Sequence, residues 1–165
     1  MSLTVTFTGR AVGRWLLGAV LLWAALGKLA NVQEFYAALL AYQLPLPSPL
    51  LKATAVVLPW LELLCGLMLL ANVRTTAALA WATVLFAVFA ACTGQAWLRG
   101  LHIACGCLDL RVFGIDRGSA LGEFLESVGF AFIRASVLAM AAGWLWRSVA
   151  KVGGEISGEA TPGVG

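Results

Sequence analysis

Few residues of this chain can do chemistry, and they fall into two groups. The first lies in the stretch HIACGCLDL, His102 to Leu110, where Cys105 and Cys107 flank a single glycine. Thiolates attack disulfides, so two cysteines this close can act as one redox pair. Gly106 relaxes the backbone between them and lets a very small disulfide ring close. The strain left in such a ring makes the bond easier to reduce than a structural disulfide, a property of exchanging pairs. The second group is charged. Lys28, Glu62 and Arg134 each sit inside an otherwise apolar run, where an ionisable side chain is costly and marks pairing or function.

Three further residues have to be weighed beside these groups. His102, the only histidine, is a proton donor near the thiols, a third ligand for Cu(I) or Zn(II), or a bystander. No acidic or histidine cluster completes a metal site around it, so no bound metal is expected. Cys65 and Cys92 lie in apolar runs, where a free cysteine behaves as a small apolar side chain. Cys92 falls nearer the thiol stretch and is the candidate for relaying electrons from it.

The elements that must position these residues follow from composition. The chain has 165 residues, 61% hydrophobic and only 12% charged, with a mean hydropathy of +0.92. That charge is too sparse to coat a soluble domain of this length. Crossing a bilayer takes roughly 20 apolar residues in a helix. Four such runs are present, at about Gly13–Ala30, Ala53–Asn72, Thr75–Leu98 and Val128–Trp146. The expected fold is all-α, a four-helix transmembrane bundle over residues 1–151 with a flexible tail at 152–165. Arg10 and Arg14 give the first run the look of a signal peptide, but it reaches Lys28 without a small-residue cleavage site and is read as retained. The net charge of +3 carries no argument for nucleic acid. The bilayer is the expected surrounding.

Between the first two spans, Phe35, Leu39 and Tyr42 recur at helical spacing, which predicts a short interfacial helix over Val32–Tyr42. Pro45, Pro47 and Pro49 end it. Asn72–Arg74 makes a tight turn. Arg99–Ser127 carries the thiols, Asp109, Arg111, Asp116 and Arg117, then a surface helix with Leu121, Phe124 and Leu125 on one face. Four spans place both termini on one side and the thiol segment on the other, with the proline loop. Setting aside Lys28 and Arg134, the terminal side holds Arg10, Arg14, Arg74, Arg147 and Lys151, against Lys52, Arg99, Arg111 and Arg117 opposite. Excess Lys and Arg mark the cytoplasmic side, so this margin of one leans to cytoplasmic termini. Disulfide chemistry also favours a periplasmic thiol segment, because the cytosol is reducing.

The up-down path also predicts a convergence. Lys28 is late in the first span, Glu62 early in the second, Cys92 and Gln95 late in the third, and Arg134 early in the fourth. All five share the half of the membrane nearest the thiols. At ~1.5 Å per residue, Arg134 lies about 9 Å below the start of its span. A cation there favours a thiolate in a loop folded over it. Lys28 either snorkels to the interface or joins Arg134 as a partner for Glu62.

The stretches RWLLGAVLLWAALGKLANVQEFYAALLAYQLPLP, LPWLELLCGLML and HIACGC together resemble the MauE/DoxX group of four-helix membrane proteins. The matching features are Gly27–Lys28 closing the first helix, Glu62 with Gly66 in the second, and Cys105-Gly106-Cys107 after the third. The resemblance runs from about Arg14 to Trp146. It departs from the group where Ala135, in place of an asparagine, follows Arg134. It implies a redox-associated protein of the bacterial inner membrane, of the kind that serves methylamine utilisation. Such a protein matures a disulfide-rich secreted enzyme alongside a periplasmic thioredoxin-like partner. DoxD-type relatives imply instead a quinone-linked oxidoreductase, with quinone as the cofactor. A third possibility is a membrane assembly subunit without enzymatic activity. The thiol–disulfide reading makes Cys105 and Cys107 the catalytic pair, with Lys28, Glu62, Arg134, Cys92 and His102 in support.

Overall fold

A peptide group in hydrocarbon has only its own helix to bond with, and the apolar runs are helical throughout. The computed structural model describes residues 2–101 and 127–158. Its elements are α1 (Ser2–Ala30), α2 (Val32–Ala41), α3 (Ser48–Leu70), α4 (Thr75–Leu98) and α5 (Val128–Gly158), with no strand among the described residues. Four stretches are long and apolar enough to cross a membrane: Gly9–Ala30, Ser48–Leu70, Thr75–Leu98 and Val128–Ala150. Only 28% to 33% of each span is buried inside the bundle, and large apolar side chains of every span are exposed. Trp15, Trp60, Trp81, Trp97 and Trp144 are among the large exposed side chains. Such a surface needs lipid as its second apolar phase.

Two helix ends depart from the sequence reading, each for a local reason. Pro49 does not help end α2; it lies in the first turn of α3, where its missing N–H is one the helix leaves unpaired anyway. The last helix runs on to Gly158, into the stretch read as a tail. Extending an existing helix gains a hydrogen bond per residue without a new nucleation cost. The expected surface helix at Leu121–Leu125 lies outside the described residues, as do His102, Cys105 and Cys107.

The bundle is built from two tight helix pairs, α1 on α3 and α4 on α5. Glycine brings the first pair together. A Cβ on Gly66 would stand 3.1 Å from the Gly18 carbonyl oxygen and 3.0 Å from Leu22 Cγ, so α1 and α3 cross at backbone contact. In the second pair, Gly94 receives the Phe132 ring, which would meet a Cβ at 2.9 Å. Leu17, Leu21, Leu69, Leu79, Phe86 and Leu145 fill the core between the pairs. On the side of the chain termini, Arg10 donates to the Ser148 carbonyl and Arg14 to Asn72 Oδ1. The turn there is tight: Asn72 (φ 58°) and Arg74 (φ 44°) both adopt the left-handed conformation.

At the opposite end, α2 packs against the bundle with the apolar face its spacing predicts. Phe35 and Leu39 are buried against Leu51 and Ala55 of α3. Tyr42 is buried beside Ala96 and Val128, with Leu101 packed against them. The chain leaves the described bundle at Leu101 and re-enters at Ser127 on this same side. Arg99 Nη2 donates to Gln43 Oε1 at 2.9 Å, tying the end of α4 to the end of α2.

Candidate functional site

Lys28 and Glu62 form a buried ion pair. Lys28 Nζ donates to Glu62 Oε1 at 2.5 Å, and the two side chains retain 2% and 9% of their surface. The glycine crossing explains the meeting. Lys28 lies ten residues beyond Gly18 and Glu62 four residues before Gly66, which puts their backbones on the order of 9 Å apart along the bundle. Helical side chains lean toward the N-terminus of their own helix. In antiparallel helices the two therefore lean toward each other, and their lengths close the gap. Snorkelling is excluded for Lys28, which is 3% exposed.

Aromatic rings complete the surroundings of the cation. The ammonium lies 5.1 Å from the Phe35 ring centroid and 5.6 Å from that of Phe89. A ring face attracts a cation, more so away from water. Phe35 comes from α2, so the short helix covers the ion pair as well as the end of the bundle. Thr93, wholly buried one turn beyond Phe89, returns its hydroxyl to the Phe89 carbonyl at 2.9 Å. That bond leaves no stranded polar atom on the threonine.

The ion pair lines part of a partly open cavity of about 330 Å³. Arg134 lines it too, and the rest of its wall is largely apolar, including Val20, Trp23, Leu85, Phe86, Phe89 and Leu138. The Arg134 guanidinium carbon stands 5.9 Å from the Phe130 ring centroid. One acceptor on this wall is left over: Glu62 Oε2 is buried and has no hydrogen-bond partner. A buried carboxylate oxygen without a donor is costly.

The structure brings three of the predicted residues together. Lys28, Glu62 and Arg134 share one cavity. Cys92 is half-buried and does not line it, and Gln95 lines a separate cleft with Gly94 and Phe132. Among the described residues, no group of three or more His, Cys, Asp and Glu side chains is placed to hold a metal ion. The sequence reading missed Phe35 and Phe89 as partners of the cation; they come from α2 and α4, and spacing along the chain does not signal the meeting. It also took Gly66 as a mark of resemblance without its structural use, which is the close approach to Gly18.

Fold and site together define a multi-pass helical membrane protein with a buried ion pair on the wall of an apolar cavity. The chain belongs to the family of methylamine utilisation protein MauE, whose family model matches residues 6–148. The match takes in the first three spans, the fourth as far as Ser148, and the segment that carries Cys105 and Cys107. Neither a curated relative nor a solved structure matches the chain.

Proposed function

We propose that the protein is a thiol–disulfide exchange protein of the bacterial inner membrane. Cys105 and Cys107 are its working pair, and a periplasmic thioredoxin-fold protein is its partner. A thiolate of one protein attacks the disulfide of the other and forms a mixed disulfide. The second thiol of the attacking pair then resolves it, so one pair gains the two electrons and two protons that the other loses. The product is a correctly oxidised secreted enzyme, of the kind used in methylamine utilisation. The observation that carries this reading is the Cys105-Gly106-Cys107 sequence within a chain of the MauE family. The half of the bundle from which residues 102–126 depart, at Leu101 and Ser127, also holds Lys28, Glu62 and Arg134. On this reading the termini are cytoplasmic and the thiol segment periplasmic, in the compartment where a disulfide persists.

Trapping tests the proposal. Cys105→Ser and Cys107→Ser each remove the resolving thiol for an attack by the other. One of them should accumulate a mixed disulfide with a thioredoxin-fold protein, identified by mass spectrometry of the non-reduced band. The double variant should trap nothing and fail to support enzyme maturation. Normal maturation in the double variant would refute the proposal and leave a membrane assembly role.

A further inference from the structure

The cavity beside the ion pair has the size and polarity of a ligand site. An apolar cavity of about 150 Å³ is enough to hold benzene, and this one, partly open, has a volume of about 330 Å³. Its apolar wall suits the body of a molecule that arrives through the bilayer. Trp23, Phe86 and Phe89 supply ring faces, which pack well against a flat ring. The polar requirement is specific. Glu62 Oε1 is taken by Lys28, whereas Oε2 has no donor. The side chain is nine-tenths buried and forms part of the cavity wall. A ligand must therefore bring an O–H or N–H.

We propose that this cavity binds a membrane-soluble hydroxyl compound of the phenol class, its O–H donating to Glu62 Oε2 and its apolar body lying along Val20, Leu85 and Leu138. A carboxylate ligand would meet Arg134 on the same wall, but it brings no donor to Oε2 and sets a second anion beside Glu62. A quinone brings only carbonyl acceptors and leaves Oε2 unsatisfied, whereas its two-electron-reduced form carries the hydroxyls the site asks for. A plain acyl chain fills the volume but leaves the oxygen orphaned. The site thus selects the hydroxyl-bearing member of each pair. This inference does not depend on the thiols, and each can fail without the other.

The test uses the full chain in nanodiscs, with binding corrected for partition into empty nanodiscs. The probes are 4-pentylphenol, its methyl ether 4-pentylanisole, and decanoic acid. The phenol and ether share ring and chain; the ether replaces the donor hydrogen by a methyl group. A hydrogen bond to a charged acceptor makes the phenol bind on the order of tenfold to a hundredfold more tightly. Glu62→Gln, which keeps an acceptor but removes the charge, should shrink that ratio several-fold. Ala135→Phe places a ring in the cavity and should abolish binding of both aromatic probes. Leu85→Trp, at another lining position, serves the same purpose should Ala135→Phe fail to fold. Equal affinity for phenol and ether would overturn the proposal. So would decanoic acid binding more tightly than the phenol, or binding that survives a folded cavity-filling variant.

Discussion

Replacing Lys28 by methionine keeps the length and apolar stem of the side chain and removes the charge that holds Glu62. The carboxylate is then left 7% exposed, in a wall whose other polar lining residue is Arg134. Breaking a buried ion pair by deleting one partner costs about 3–5 kcal/mol, because the remaining charge has lost both water and counterion. Glu62→Gln is expected to cost less, about 1–2 kcal/mol. Glutamine still offers a carbonyl to the ammonium, and the rings of Phe35 and Phe89 remain over it. In the double variant neither charge is stranded, so its loss should fall short of the sum of the singles by about 1–3 kcal/mol. Reversible unfolding in mixed micelles, followed by helix signal, gives all four corners of the cycle. Additivity within about 0.5 kcal/mol would show that the two side chains do not stabilise the bundle through each other, and would refute the ion pair as its organising contact.

Other consequences are as direct. Gly66→Val places methyl groups against the Gly18 carbonyl and Leu22 and should destabilise the bundle by about 1–3 kcal/mol; an unchanged unfolding midpoint would mean that α1 and α3 do not cross there. Phe89→Leu removes one ring from the ammonium while preserving most of the packing, and should cost about 0.5–2 kcal/mol in the same assay. That loss should vanish when Lys28 is already methionine. Intact cells treated with a reductant and then a membrane-impermeant maleimide should label Cys105 or Cys107. Labelling confined to lysed cells would reverse the proposed orientation.

The four spans were legible because lipid leaves the chain so little choice: an apolar run of the right length must be helical, and four must alternate in direction. Their ends were less legible. Pro49 reads equally as the stop of one helix or the start of the next until the chain direction around it is known. The charged residues were legible as a group, since up-down topology alone assigns Lys28, Glu62 and Arg134 to one half of the bundle. Which cation takes Glu62 was not, because that depends on how closely two helices approach, and the distance is set by Gly18, ten residues from Lys28, and Gly66, four residues from Glu62. The role of Phe35 was hidden for a related reason. Its helical spacing predicts a buried face for α2, but not that this face lies over the ammonium. The orphaned Glu62 Oε2 has no sequence signal at all, being a property of the space around it.

The central claim concerns Cys105 and Cys107, and their redox potential tests it most directly. The full chain, equilibrated in glutathione buffers of graded ratio, is quenched and alkylated with distinguishable reagents before and after reduction. Mass spectrometry then gives the fraction of Cys105 joined to Cys107 at each ratio. A working pair must both form and break its bond, so the midpoint should lie above the roughly −300 mV below which structural disulfides fall. A Cys105–Cys107 bond that resists reduction throughout the series, or two cysteines that never join each other, would contradict thiol–disulfide exchange as the function of this protein.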